Sequence, residues 1–159
     1  MKLSTQLKKL DACTEGYEWA KGKTLMEAWS TCDRGNWMLW YAAKINIDRK
    51  LLVKAACACA RLSLRFVPSG EERPRIAIET AEAWTEGKAS LEDVRTAAYA
   101  AHAAASTAAN TAAYAAYAAA YAAYAAAYAA DAAYAAATLR VCAEIVRTTI
   151  PLDALKGDK

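Results

Sequence analysis

From Ser90 to Thr149 the sequence contains neither proline nor glycine, and inside that stretch residues 97–137 carry a single charge, Asp131. Alanine dominates it, and alanine is the strongest helix former. An unbroken helix over these residues would run about 90 Å at 1.5 Å per residue, which is too long for one compact domain of this size. Either the helix protrudes and pairs with another chain, or it breaks into two antiparallel segments. Ser106, Thr107, Asn110 and Thr111 are the internal residues suited to capping, so a break belongs near 105–111. Tyr114, Tyr117, Tyr121, Tyr124 and Tyr128 follow a 3-4-3-4 spacing that puts their rings on one helix face. Extending the phase backward reaches Asn110 and Thr107, and extending it forward reaches Asp131; Tyr99 and Tyr134 lie off it. The alanines between the rings admit a close neighbouring helix. The stripe is either a packing seam or a set of phenols turned toward a polar ligand.

The remaining sequence supports the same fold class. Six glycines, three prolines and one phenylalanine are too few for the turns and aromatic runs of a β-rich chain. Much of the 57% hydrophobic content is alanine, so the core must come from Trp, Tyr, Leu, Ile and Val. The expectation is an all-α fold, a compact multi-helix domain with a long Ala/Tyr-rich helix or antiparallel helix pair in its C-terminal half. We read 1–159 as a single α-helical domain, with a short-helix part at 1–88, the Ala/Tyr-rich part at 89–150 and a tail at 151–159. Thr24 with Glu27, Ser69 with Glu72 and Ser90 with Asp93 have capping-box spacing, and Asp48 precedes another helix start. Gly22, Gly35, Gly70 and Gly87 read as stops or turns. These signals predict helices near 4–12, 14–21, 25–32, 36–45, 49–66 and 71–86, the last tolerating Pro74 in its first turn.

Several function classes lose support at once. The first residues lack the apolar run of a signal peptide, and no window of about twenty strongly apolar residues occurs, so a cytoplasmic protein with no membrane partner is expected. Cys13, Cys32, Cys57, Cys59 and Cys142 have no zinc or redox spacing. Cys57 and Cys59 would point about 200° apart on a helix, which prevents a shared metal from one face. No metal or cofactor is expected. His102 is the one histidine, and no nucleophile, zinc-protease, phosphate-loop or dinucleotide pattern accompanies it, so no catalytic residues are assigned and an enzyme is not expected.

Binding chemistry is better represented. Arg34 and Asn36 stand at a predicted helix entrance, where unpaired N–H groups favour an anion, and Trp37 and Trp40 share the face of that helix. Arg73 and Arg75 stand at a second helix start, followed by Trp84; Arg61 and Arg65 lie one turn apart nearby. Arginine forks and tryptophan faces together suit a nucleotide-like anion. The alternative is structural, with tryptophan in the core and arginine paired to Glu72, Glu79 or Glu82. Nucleic acid is disfavoured as a partner, because a net charge of +3 and a charge-free tract cannot follow a phosphate backbone.

The segments Cys32-Asp33-Arg34-Gly35-Asn36-Trp37-Met38-Leu39-Trp40, Cys57 with Cys59-Ala60-Arg61, Glu72-Arg73-Pro74-Arg75 and Ala81-Glu82-Ala83-Trp84, together with the alanine–tyrosine tail, resemble a family of immunity proteins. That family is associated with bacterial polymorphic toxin systems and is also carried by phages. Members usually have Asp where this chain has Asn36, so one negative charge beside Arg34 and Trp37 is missing. The resemblance implies an all-α neutralising protein. Two modes fit: trapping a small anionic nucleotide-type immune signal, for which a homo-oligomer is expected, or blocking a protein toxin by direct binding. The sequence reading leans to the first, because an inhibitor covering a basic nuclease cleft is expected to be acidic.

Overall fold

The computed structural model describes residues 2–62, 64–101 and 136–155, and all regular structure among them is helical. The helices are α1 (Leu3–Lys9), α2 (Thr14–Ala20), α3 (Leu25–Thr31), α4 (Gly35–Lys44), α5 (Arg49–Arg61) and α6 (Arg73–Thr85). Residues 91–101 and 136–149 are also helical, and short 3₁₀ turns cover Leu64–Phe66 and Leu152–Leu155. The proposed break at 105–111, the tyrosine stripe and His102 lie outside the described residues.

Local chemistry explains most boundaries. Thr24 and Glu27 close a reciprocal capping box on α3, as Ser90 and Asp93 do before residues 91–101. The Asp48 carboxylate accepts from the N–H groups of Lys50 and Leu51 at 2.7 and 3.2 Å. Three helices end with a left-handed residue whose own N–H and that of its successor bond back to the last turn. One is Gly87 after α6, with φ 76°. The other two are Asp11 after α1 and Asn46 after α4, with φ of 58° and 54°; the glycine signals did not reveal these stops.

Three expectations need correction. Ser69 and Glu72 form no box: α6 starts at Arg73, and its N-cap Glu72 makes no side-chain capping bond. Helix α5 ends at Arg61 rather than near 66, because Leu62 N–H bonds to the Cys59 carbonyl in a tighter turn that leads into the 3₁₀ segment. Gly35 is neither a stop nor a turn. It opens α4, and a Cβ there would lie 2.5 Å from the Cys142 Cβ and 2.8 Å from the Ala143 nitrogen. The glycine is required because the backbone of the 136–149 helix runs against it.

The chain forms two compact units, Met1–Ala55 with Leu139–Lys159, and Ala56–Thr138. In the first, α1 packs on α2, and the core joins Leu3, Leu7, Trp29, Met38 and Tyr41 with Val146, Ile150 and Leu155 of the returning segment. Val146 and Ile150 are fully buried, and each such side chain stabilises by roughly 1.5–3 kcal/mol. Arg147 locks the return in place. Its guanidinium donates to the carbonyls of Trp29 and Cys32 at 3.2 and 2.6 Å, satisfying the end of α3, while Glu144 holds its other edge. Asp33 pairs with Arg140 at 3.7 Å. In the second unit, the buried Cys57 thiol donates to the Ile78 carbonyl at 3.9 Å, and Arg61 grips Glu82 through two bonds of 2.8 and 2.5 Å.

Candidate functional site

Within the first unit, α1 to α4 enclose a cavity of about 480 Å³. Its walls are mainly apolar and aromatic: Leu3, Leu7, Ala12, Ala20, Ala28, Met38 and Tyr41, with Trp19, Trp29, Trp37 and Trp40. Asp11 and Asn36 are the polar side chains among its lining, beside the thiols of Cys13 and Cys32. The rings are fixed by their neighbours. Trp19 and Trp37 meet in a tilted pair with centroids 6.0 Å apart, and the Tyr41 hydroxyl donates to Gln6 Oε1 at 3.1 Å. Burial pushes the Tyr41 phenol and the Cys32 thiol above their ordinary values, so both stay neutral.

Three of the four tryptophans carry a cation against the ring. Lys23 lies 4.4 Å from the Trp19 ring centroid, Arg34 lies 4.4 Å from that of Trp37, and Lys44 lies 5.9 Å from that of Trp40. Arg34 also pairs with Glu15 at 3.3 Å. Of the residues singled out by sequence, Arg34, Asn36, Trp37 and Trp40 therefore come together: Asn36 and the two tryptophans line the cavity, and Arg34 braces Trp37 from its own carboxylate contact.

Arg73, Arg75 and Trp84 belong to the second unit, on α6. Arg73 holds the Glu71 carboxylate through its guanidinium, with Nε at 2.7 Å, and through its backbone N–H at 3.0 Å. The Glu71 carboxyl is thereby lowered to about 2, first by the side-chain bond and then by the backbone one. The chain's own carboxylate thus sits on the first N–H of α6, where an outside anion was expected. Arg75 pairs with Glu72 at 3.0 Å, and Trp84 is half-buried. Arg73 also edges a cavity of about 380 Å³ between α6 and residues 91–101.

The sequence reading missed Lys23 and Lys44, which carry no short motif, and Trp19 and Trp29, which stand alone in their helices. It also missed Arg147, whose carbonyl acceptors on Trp29 and Cys32 lie more than a hundred residues away. A spacing signal did exist for Lys44, four residues after Trp40, and for Lys23, four after Trp19.

This is a helical protein with an aromatic cavity flanked by basic side chains. Residues 44–146 match the family model described as "Imm-5 like putative immunity protein", and the chain belongs to that family. Three of the segments that carried the resemblance fall inside the match, as does the described start of the alanine–tyrosine tract; Cys32 to Trp40 and the cavity lie ahead of it. No curated protein and no solved structure matches the chain. No helix among the described residues is long and apolar enough to cross a membrane.

Proposed function

We propose that this chain is a non-catalytic immunity protein that neutralises a protein toxin by binding it directly. The observation that carries this reading is membership of the immunity-protein family over residues 44–146. The arginine chemistry points the same way. Capture of a small nucleotide-type anion was argued from Arg34, Arg73 and Arg75 as receptors, yet each holds a carboxylate of this chain: Glu15, Glu71 and Glu72. An incoming phosphate would have to displace those partners. The aromatic cavity, by contrast, has the Trp and Tyr composition on which protein interfaces concentrate their binding energy.

The test is co-expression of the chain with the toxin of its own locus in a sensitive bacterial host, followed by calorimetry on the two purified proteins. Restored growth and a stoichiometric complex are expected. Unrestored growth with an active toxin, or a heat of binding seen only with nucleotides, overturns the reading.

A further inference from the structure

We propose that the aromatic cavity of the first unit is the docking site for the toxin, and that it seats an apolar or aromatic side chain carried on an acidic segment. The inference rests on the toxin-neutralising reading and gives that partner its chemistry. Trp19, Trp37 and Trp40 are half-buried around one cavity of about 480 Å³, a volume in the range that encloses a ring-sized group. Half-buried tryptophans at a concave site lose further water when an anchor enters, and that loss favours binding.

The first unit contains fourteen Lys and Arg against nine Asp and Glu, a net +5, whereas the second has six against eight, a net −2. Part of the excess is brought to the cavity's tryptophans by Lys23 and Lys44, while Arg34 is paired with Glu15. The Lys23 ammonium donates to the Trp19 carbonyl at 2.5 Å and Lys44 is exposed, and Asp11 is the one carboxylate among the lining. The ring partners of Lys23 and Lys44, Trp19 and Trp40, lie on different helices, α2 and α4. Carboxylates spaced along a peptide segment can meet both lysines without displacing Glu15 from Arg34. The complementary partner is therefore an acidic segment with an apolar anchor. The unit's positive charge also removes the objection that an inhibitor ought to be acidic, since that objection assumed a toxin with a basic cleft.

The experiment uses the full chain and two aromatic probes of similar shape. One is the anionic 1-anilinonaphthalene-8-sulfonate, and the other is the uncharged N-phenyl-1-naphthylamine. Both are expected to bind at one saturable site and to quench tryptophan emission. The double variant Lys23→Glu/Lys44→Glu should weaken the anionic probe by about tenfold, with the neutral probe within about twofold. Ala12→Phe, which fills the cavity from its lining, should exclude both. The toxin should displace the bound anionic probe, and both variants should lose protection in the growth assay while keeping the wild-type helical signal. If Ala12→Phe proves unfolded, the charge-reversed variant carries the test alone, since both lysines lie outside the core. Failure of the probes to bind, protection retained by the variants, or displacement by adenosine monophosphate but not by the toxin overturns the docking site. A wild-type chain that gives no protection overturns the toxin-neutralising reading itself, so the two failures are distinguishable.

Discussion

Gly35 has no space for a methyl group, since its Cβ would fall 2.5 Å from a Cβ and 2.7 Å from a backbone carbon of Cys142. Backbone cannot yield as a flexible side chain can, so Gly35→Ala should cost about 1–3 kcal/mol, measurable by urea unfolding. Gly22→Ala is a useful contrast: nothing lies near its Cβ, and its cost would come from a φ of 82° instead. Arg147 is the second residue on which the first unit depends, with its side chain only 19% exposed. Arg147→Met keeps the apolar stem but strands the carbonyls of Trp29 and Cys32, for an expected loss of about 1.5–3 kcal/mol in the same assay. The Cys32–Trp40 segment reads as binding chemistry because it concentrates Arg and Trp. In the structure a third of it is clasp: Cys32, Asp33 and Gly35 meet the 136–149 helix or the arginine that it carries. The partners of these residues are more than a hundred positions away, so nothing local in the sequence separates clasp from cavity wall.

Helix ends behave differently, because their determinants lie within four residues. Thr24→Ala opens the capping box on α3 and should cost about 1 kcal/mol. The box also lowers the Glu27 carboxyl through the backbone and hydroxyl of Thr24. That locality is why the starts of α3, α5 and the 91–101 helix were legible from sequence. The left-handed stops at Asp11 and Asn46 were not, since either residue is equally at home in a loop. At α6 the anticipated anion receptor is a turn of Glu71 wrapped by Arg73. The Glu71 pKa is depressed, so its contribution is fully present above the unfolded glutamate value of about 4.3 and is lost as the pH falls through about 2. Its partner Arg73 is 47% exposed to solvent, so the effect belongs in a titration rather than in a stability figure. Carboxyl carbon NMR should find the Glu71 midpoint near 2, and Arg73→Gln should return it toward the ordinary glutamate range. An unshifted wild-type midpoint would release Arg73 for an external anion.

The whole molecule depends on a return of the chain that no local pattern announces. An all-helical chain was readable from composition and capping, yet residues 139–155 complete a unit begun by residues 1–55. Their apolar side chains read equally well as one face of an extended coiled coil. The structure decides between those readings for this segment: Ala143, Val146 and Ile150 are wholly buried, and Leu155 nearly so. The cavity walls α3 and α4 are therefore held from behind by the far end of the sequence, through Gly35 and Arg147. Damage to the return should reach the cavity without touching it. Ile150→Ala removes a fully buried side chain and should cost about 2–5 kcal/mol, whereas Ile76→Ala, at a position 50% exposed in the second unit, should stay within about 0.5 kcal/mol. Chemical unfolding followed by tryptophan emission measures both, because four of the five tryptophans line the cavity. Equal and small losses from the two substitutions would mean that the C-terminal segment does not close the first unit.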